Sequence, residues 1–302
     1  MTPEQACAHV ERRLGRAALS AEPLSGGLLN HVYRVYLDDR STVVLKHSPP
    51  YVASAPQIPL DPGRSRIEAT ALEALGGQQV PVLLDTSPPV LILEDLGDLP
   101  DLTDHLERGG DPAILASLAR WLRALHDGPA PAIGNRSVQQ TRMDLQYSAA
   151  EGWLDSLGVP DAASLGAALR ALGERFLAGG AHFVMGDLWP PSVLVRANGR
   201  FVVIDWELAT RGYRAQDLGH LAAHLELESA TGRLRPGLAG VFLDAYGPLS
   251  VRETRETALH QGAELLARTV GAFPRHDLTP PIRSRLVGVA LEHLRRGLIS
   301  KR

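Results

Sequence analysis

At 302 residues with 44% apolar content, the chain is long enough for two modest domains with a real core, and its formal charge of −3 leaves no basic footprint for nucleic acid. A single cysteine, Cys7, excludes an intrachain disulfide, and no apolar run approaches the ~18 residues of a membrane span. The amino terminus lacks the basic-then-apolar pattern of a signal peptide, so the expectation is a cytoplasmic protein, monomer or homodimer, with neither a membrane nor a nucleic-acid partner.

Taken in order, Ala6, Val10 and Leu14 at near-helical spacing predict an opening helix over residues 4–16. A strand over 17–24, the turn Ser25-Gly26-Gly27-Leu28-Leu29-Asn30 and the alternating run His31 to Leu37 follow. Strand, glycine turn, strand is the order of a loop that folds over phosphates, since glycine lets backbone amides approach oxygens; it is equally the order of a hairpin with no ligand. The spacing matches neither the P-loop nor the dinucleotide fingerprint.

Thr42 to Lys46 reads as a third strand, closed by the only lysine before Lys301 in a chain that otherwise uses arginine. A lone strand-end lysine is usually solvated, but the avoidance of arginine points to a demand for a compact ammonium. The stretch from Ser48 to Gly63 carries five prolines and reads as an ordered long loop or a linker. Residues 62–76 place Ile67, Ala71, Leu72 and Leu75 on one helical face, with Glu68 on a neighbouring one, either solvated or paired with Lys46. The apolar strand Val90 to Leu93 then runs through Glu94, Asp95 and Leu96 into Gly97, where a small β-rich domain hands over to a helical one.

Beyond that point amphipathic helices are expected over 111–126 and 161–177. Between His182 and Glu207 the pattern returns to strands: Asp187 sits in a loop, and a hairpin turning at Asn198-Gly199 delivers Asp205 at the end of the apolar run Phe201 to Ile204. Two acids on rigid elements suit a base for a hydroxyl and a ligand for Mg²⁺. A helix over 217–227 opens on Asp217, for which a helix-capping role suffices locally. Further helices surround Val241-Phe242, Leu265-Leu266 and Leu286 to Leu298. A cleft between a strand-rich and a helix-rich lobe is a common ligand site.

In this order the motifs resemble the aminoglycoside phosphotransferase and choline kinase-like family of small-molecule kinases, over about Leu24 to Leu225. The resemblance implies an α+β, two-lobed protein kinase-like fold, with a small antiparallel sheet in a lobe over 1–95 and a mainly helical lobe over 96–302. The stretch Met185-Gly186-Asp187-Leu188-Trp189-Pro190-Pro191-Ser192 is similar to the family's catalytic loop and puts Asp187 on its catalytic acid. It likewise puts Asp205 on the metal-binding aspartate, Lys46 and Glu68 on the phosphate-orienting pair, and Asp217 on an acid that braces the catalytic loop. Ser25, Gly26 and Gly27 fall on the phosphate loop, and Glu94 with Leu96 on the link whose backbone meets adenine.

Two positions depart from the family pattern: Met185 replaces a histidine, and Ser192 replaces a metal-binding asparagine. Methylthioribose kinases resemble this chain in both the serine and an Asp-x-Glu motif like Asp205-Trp206-Glu207, which implies metal roles for Ser192 and Glu207. ATP and Mg²⁺ are thus the implied cofactors, and a small-molecule hydroxyl the implied acceptor, sugar-like or an amino alcohol. An antibiotic-modifying phosphotransferase is an alternative, although 14 Lys/Arg against 11 Asp/Glu from Phe201 onward do not make the acidic surface a polycationic aminoglycoside needs. A non-catalytic nucleotide-binding relative is the other.

Overall fold

The computed structural model describes residues 1–24 and 28–298. The chain divides into two compact units: Met1–Leu99 with Ile133–Val138 and Val202–Ala209, and Pro100–Ala132 with Gln139–Phe201 and Thr210–Arg302. The return of residues 202–209 to the first unit matters, because they carry Asp205 and Glu207.

The first unit opens with helix α1 (Pro3–Leu14), started by a reciprocal cap in which Thr2 and Gln5 each bond the other's backbone N–H, and ended by Gly15. Five antiparallel strands follow: β1 (Ala18–Pro23), β2 (His31–Leu37), β3 (Thr42–His47), and later β6 (Leu83–Ser87) and β7 (Val90–Glu94), in the order β1-β2-β3-β7-β6. Period-two alternation sends Tyr33, Val35, Leu37, Val43 and Leu45 to one face, where they pack with Ala6 and Val10 of α1. Lys46, one residue beyond Leu45, therefore turns to the opposite face, where it meets helix α2 (Arg64–Leu75). The proline-rich segment is neither bare loop nor linker: it holds the small antiparallel pair β4 (Tyr51–Val52) and β5 (Ala55–Pro59).

In the second unit, α3 (Leu102–Glu107) and α4 (Ala113–Asp127) precede α5 (Arg136–Arg142), which begins in the first unit and runs into a π-helical turn, Met143–Ser148. Then come α6 (Ala150–Ser156), α7 (Ala162–Ala178), α8 (Ala215–Thr231), α9 (Leu238–Tyr246), α10 (Val251–Thr269) and α11 (Pro280–Leu298). Strand β8 (His182–Val184) pairs antiparallel with β11 (Thr210–Gly212). Strands β9 (Val193–Val195) and β10 (Phe201–Val203) flank the expected turn, where Arg196 N–H donates to the Arg200 carbonyl at 2.8 Å and Gly199 takes φ +75.

Leu165, Leu169, Leu227, Leu266 and Leu294 lie in the core of this unit. Helices α8 and α10 approach so closely at Gly219 that a Cβ there would lie 2.5 Å from the Cβ of His260. Polar side chains of both helices, among them His220, His224, His260 and Glu264, are buried there. Among the described residues no helix is long and apolar enough to cross a membrane.

Candidate active site

The first unit brings Lys46, Glu68, Asp205 and Glu207 together. The Lys46 ammonium lies 2.8 Å from Glu68, 2.7 Å from Asp205 and 3.5 Å from Glu207. Burial by itself would lower its pKa, but Asp205, Glu207 and Glu68 outweigh that and raise it well above the ordinary value, so the amine stays charged. Burial pushes the Glu68 carboxyl up, and Lys46 opposes the shift. This lysine is therefore no solvated strand end.

Two further residues complete the cluster. Arg64, at the start of α2, is 1% exposed and donates Nε to Glu207 Oε2 at 3.1 Å. Asn30 donates Nδ2 to both Glu207 oxygens, at 2.7 and 2.8 Å. Glu207 is thus enclosed by donors, whereas the side chain of Asp205 is 43% exposed. Two cations (Lys46, Arg64) face three acids (Glu68, Asp205, Glu207), of which burial pushes Glu68 up to about 7, so the acids carry an excess of up to one negative charge, and Asp205 is the member that solvent reaches. A hard, partly exposed oxygen donor beside an excess of negative charge fits Mg²⁺. Asp205 also adopts φ +65, the left-handed region, at a cost of about 1–3 kcal/mol for a non-glycine residue.

The stretch Met185 to Ser192 lies in the second unit. After β8 the chain turns at Gly186, whose φ of +86 favours glycine, and presents Asp187 with its side chain 28% exposed. The turn is pinned on both sides. Asp217, fully buried, accepts the backbone N–H of Met185 and of Gly186, each at 2.8 Å. The Gly186 carbonyl accepts from Arg142 and, at 3.2 Å, from Gln216. Burial pushes the pKa of His126 down, so its neutral ring donates Nε2–H to Asp217 at 3.1 Å and accepts the Tyr246 hydroxyl proton at Nδ1, 2.8 Å away. Asp217 therefore braces the loop rather than capping α8: its carboxylate is spent on β8-end amides.

Met185, where the family pattern has histidine, is fully buried. Ser192 is also fully buried; its hydroxyl donates to the Trp189 carbonyl at 2.7 Å and accepts the Trp189 N–H at 3.2 Å. That hydroxyl closes the loop's own turn, and its bonding capacity is largely used there.

Around Asp187 the helical unit holds a buried polar layer. His220 Nδ1 lies 3.5 Å from Asp187 Oδ1, and its Nε2 3.1 Å from Glu264. Glu264 accepts from Gln146 (2.8 Å), His224 (3.1 Å) and Arg268 (2.7 Å). Burial opposes ionisation of Glu264, yet His220 and Arg268 hold its pKa well below the ordinary value. His220, His224 and Glu264 have the spacing of a metal-ligand group, but both Glu264 oxygens already serve protein donors, and Arg268 adds repulsion for a cation.

The same layer gives a pH dependence. Burial, foremost, pushes both His224 and His260 down to about 3. The unfolded chain takes up those protons below ~6.5, where the folded unit does not, so stability is lost as pH falls from about 6.5 toward 3, by about 1.4 kcal/mol per pH unit for each histidine. Urea unfolding at about pH 7.5 and about pH 5 is expected to show this loss. His260→Gln, which can still accept the Tyr147 hydroxyl now 2.7 Å from Nδ1, should reduce it.

Of the remaining sequence candidates, Ser25, Gly26 and Gly27 lie outside the described residues. Glu94 accepts the Val82 N–H at 3.1 Å, and Leu96 follows β7 half-buried in irregular chain. The sequence reading missed Asn30, Arg64, His126 and Arg142. Only Asn30 had a signal, as the residue closing the glycine turn; the others look locally like helix-end polar residues.

The model of the phosphotransferase enzyme family matches residues 20–260. A curated relative, phosphotransferase FrzJ of Cladobotryum sp, is 27% identical over 320 residues, covering 84% of this chain and 82% of the relative. The 4-hydroxytryptamine kinase of Psilocybe cyanescens is 23% identical over 278 residues, covering 77% and 74%. Among solved structures, the choline kinase LicA of Streptococcus pneumoniae superposes with a TM-score of 0.56 over 97% of this chain and 98% of its own, at 15% identity, a likeness of fold. Small antiparallel sheet, helical unit and matched span agree: the chain belongs to the phosphotransferase enzyme family.

Proposed function

We propose that the protein is an ATP-dependent kinase that transfers the γ-phosphoryl group to a hydroxyl of a small metabolite. The observation that carries this reading is the buried Lys46 ammonium shared by Glu68 and Asp205, a pairing with no use on a solvated sheet edge. In this reading Lys46 meets the phosphates of the nucleotide, oriented by Glu68. Asp205 holds Mg²⁺, which when bound neutralises phosphate charge. Asp187 orients the acceptor hydroxyl and takes its proton late in a loose transition state, so most of the rate comes from positioning. Arg142, Gln216 and Asp217 keep the Asp187 turn fixed.

One relative's name specifies a small hydroxylated acceptor, 4-hydroxytryptamine. The layer next to Asp187 is not the strongly acidic site a polycationic acceptor calls for: Arg142 and Arg268 offset two of the three carboxylates Asp187, Asp217 and Glu264, while His224 and His260 stay neutral. Of the two departures behind the non-catalytic alternative, Met185 is absorbed by packing, whereas the Ser192 hydroxyl is engaged in its own turn, so that alternative is an outcome of the same test.

The test is ADP release from ATP and Mg²⁺ across a panel of sugars, amino alcohols, hydroxylated aromatic amines and antibiotics. Acceptor-dependent ADP release is expected; nucleotide binding with no transfer to any member would overturn the reading. Lys46→Ala is expected to weaken ATP binding about 10- to 100-fold in a calorimetric titration, the worth of a charge-assisted contact. Unchanged binding would return Lys46 to a structural role.

A further inference from the structure

We infer that Arg64 is a positioning residue for Asp205, acting through Glu207. The inference rests on the reading of Asp205 as the metal-holding carboxylate. Each N–H of the Arg64 guanidinium has an acceptor. Nε donates to Glu207 Oε2 at 3.1 Å; Nη1 donates to the carbonyls of Pro49 and Asp61 at 2.8 and 2.9 Å; Nη2 donates to the Leu29 carbonyl and Asn30 Oδ1 at 3.0 and 3.1 Å. One buried side chain thereby ties together residues 29–30, residues 49–61 and the segment after β10. Only the planar fork of arginine reaches all of these at once.

The clamp explains a backbone feature. A left-handed aspartate persists only where its surroundings over-determine it. Two residues beyond Asp205, the Glu207 side chain is held by Arg64 and Asn30, and its carbonyl accepts from Asn135 Nδ2 at 2.9 Å. Released from that anchor, Asp205 would relax toward an ordinary conformation and its carboxylate would move. The same bonds make Glu207 an anchor rather than a second metal ligand: it is 4% exposed, and both its oxygens are occupied by donors of the protein.

The test is Mn²⁺ binding in the presence of ADP, read from the free-ion signal by electron paramagnetic resonance, with ADP binding in EDTA measured alongside by calorimetry. The variants are Arg64→Lys, Glu207→Gln, their double, and Asn30→Ala, which leaves the Arg64 bonds to Pro49, Asp61 and Leu29 in place. Each single change is expected to weaken Mn²⁺ about 10-fold, the usual cost of losing a residue that orients a ligand, and to weaken ADP binding in EDTA by a clearly smaller factor. Because the residues act as one unit, the double variant should be no weaker than the worse single. Unchanged Mn²⁺ affinity in folded single variants overturns the role. Additive losses in the double variant also overturn it, since they would assign Glu207 to the ion independently of Arg64. If the unaltered protein binds no Mn²⁺ with ADP, the phosphotransfer reading itself falls, and this role with it.

Discussion

Asp187→Asn is expected to lower kcat for phosphoryl transfer about 1,000-fold, the middle of the range for a positioned general base, while ATP affinity stays within about twofold. Asparagine keeps the shape of the side chain but cannot accept the acceptor's proton. The substitution is also structurally mild. The Met185 and Gly186 amides go to Asp217, and the Gly186 carbonyl goes to Arg142 and Gln216, so the turn does not depend on the Asp187 carboxylate. Its neighbour His220 is 3.5 Å away, too far for a firm hydrogen bond. The melting temperature should therefore move little, as for other substitutions that break no buried contact. Steady-state ADP release, calorimetry of ATP binding and a thermal melt together check the three parts. Turnover that survives the change would remove Asp187 from the role of base, and a large loss of stability would make it a structural acid.

How far such roles can be read from sequence depends on the distance over which a residue finds its partners. Lys46 stood out because composition isolated it, and β3 could be drawn because Val43 and Leu45 alternate with it. The residue pair 46 and 68 is then only 22 positions apart. Arg64 gave no such sign: it follows Pro62-Gly63 as any solvated helix start would, and its partner Glu207 is 143 positions away. The edge strand β6 was missed for a local reason, since Leu83-Leu84-Asp85-Thr86-Ser87 has no clean alternation and is recruited by pairing with β7. Ser192 and Glu207 show the converse. A motif marks the positions, but burial and occupied oxygens, which a motif does not carry, decide what those atoms are free to bind. The α+β architecture survived all of this because it rests on the summed periodicity of whole strands and helices, not on one side chain.

Asp217 is where the two readings of one residue separate most sharply in measurement. As a helix cap it would be worth about 1 kcal/mol, and its loss would leave catalysis alone. As the brace seen here it accepts two backbone amides and lies 3.1 Å from His126, wholly out of water. In Asp217→Asn the single amide oxygen can serve one of the two backbone N–H groups, and the amino group is turned against the other. His126 can change tautomer to accept from that amino group, and the Tyr246 hydroxyl can rotate to follow, but one buried backbone donor is still left without an acceptor. With the lost charge this should cost about 3 kcal/mol. For a chain of this size that corresponds to a melting temperature lowered by roughly 5 °C. The turn bearing Asp187 would keep only its carbonyl-side bonds to Arg142 and Gln216, and a displacement of about 1 Å at the reacting group is enough for about a 100-fold loss in kcat. The diagnostic result is both losses in one variant, with Mn²⁺ binding to the folded protein unchanged, because Asp205 belongs to the other unit and shares no bond with Asp217 among the described residues. A small loss of stability with full turnover would restore the cap, and the Asp187 turn would then be held by Arg142 and Gln216 alone.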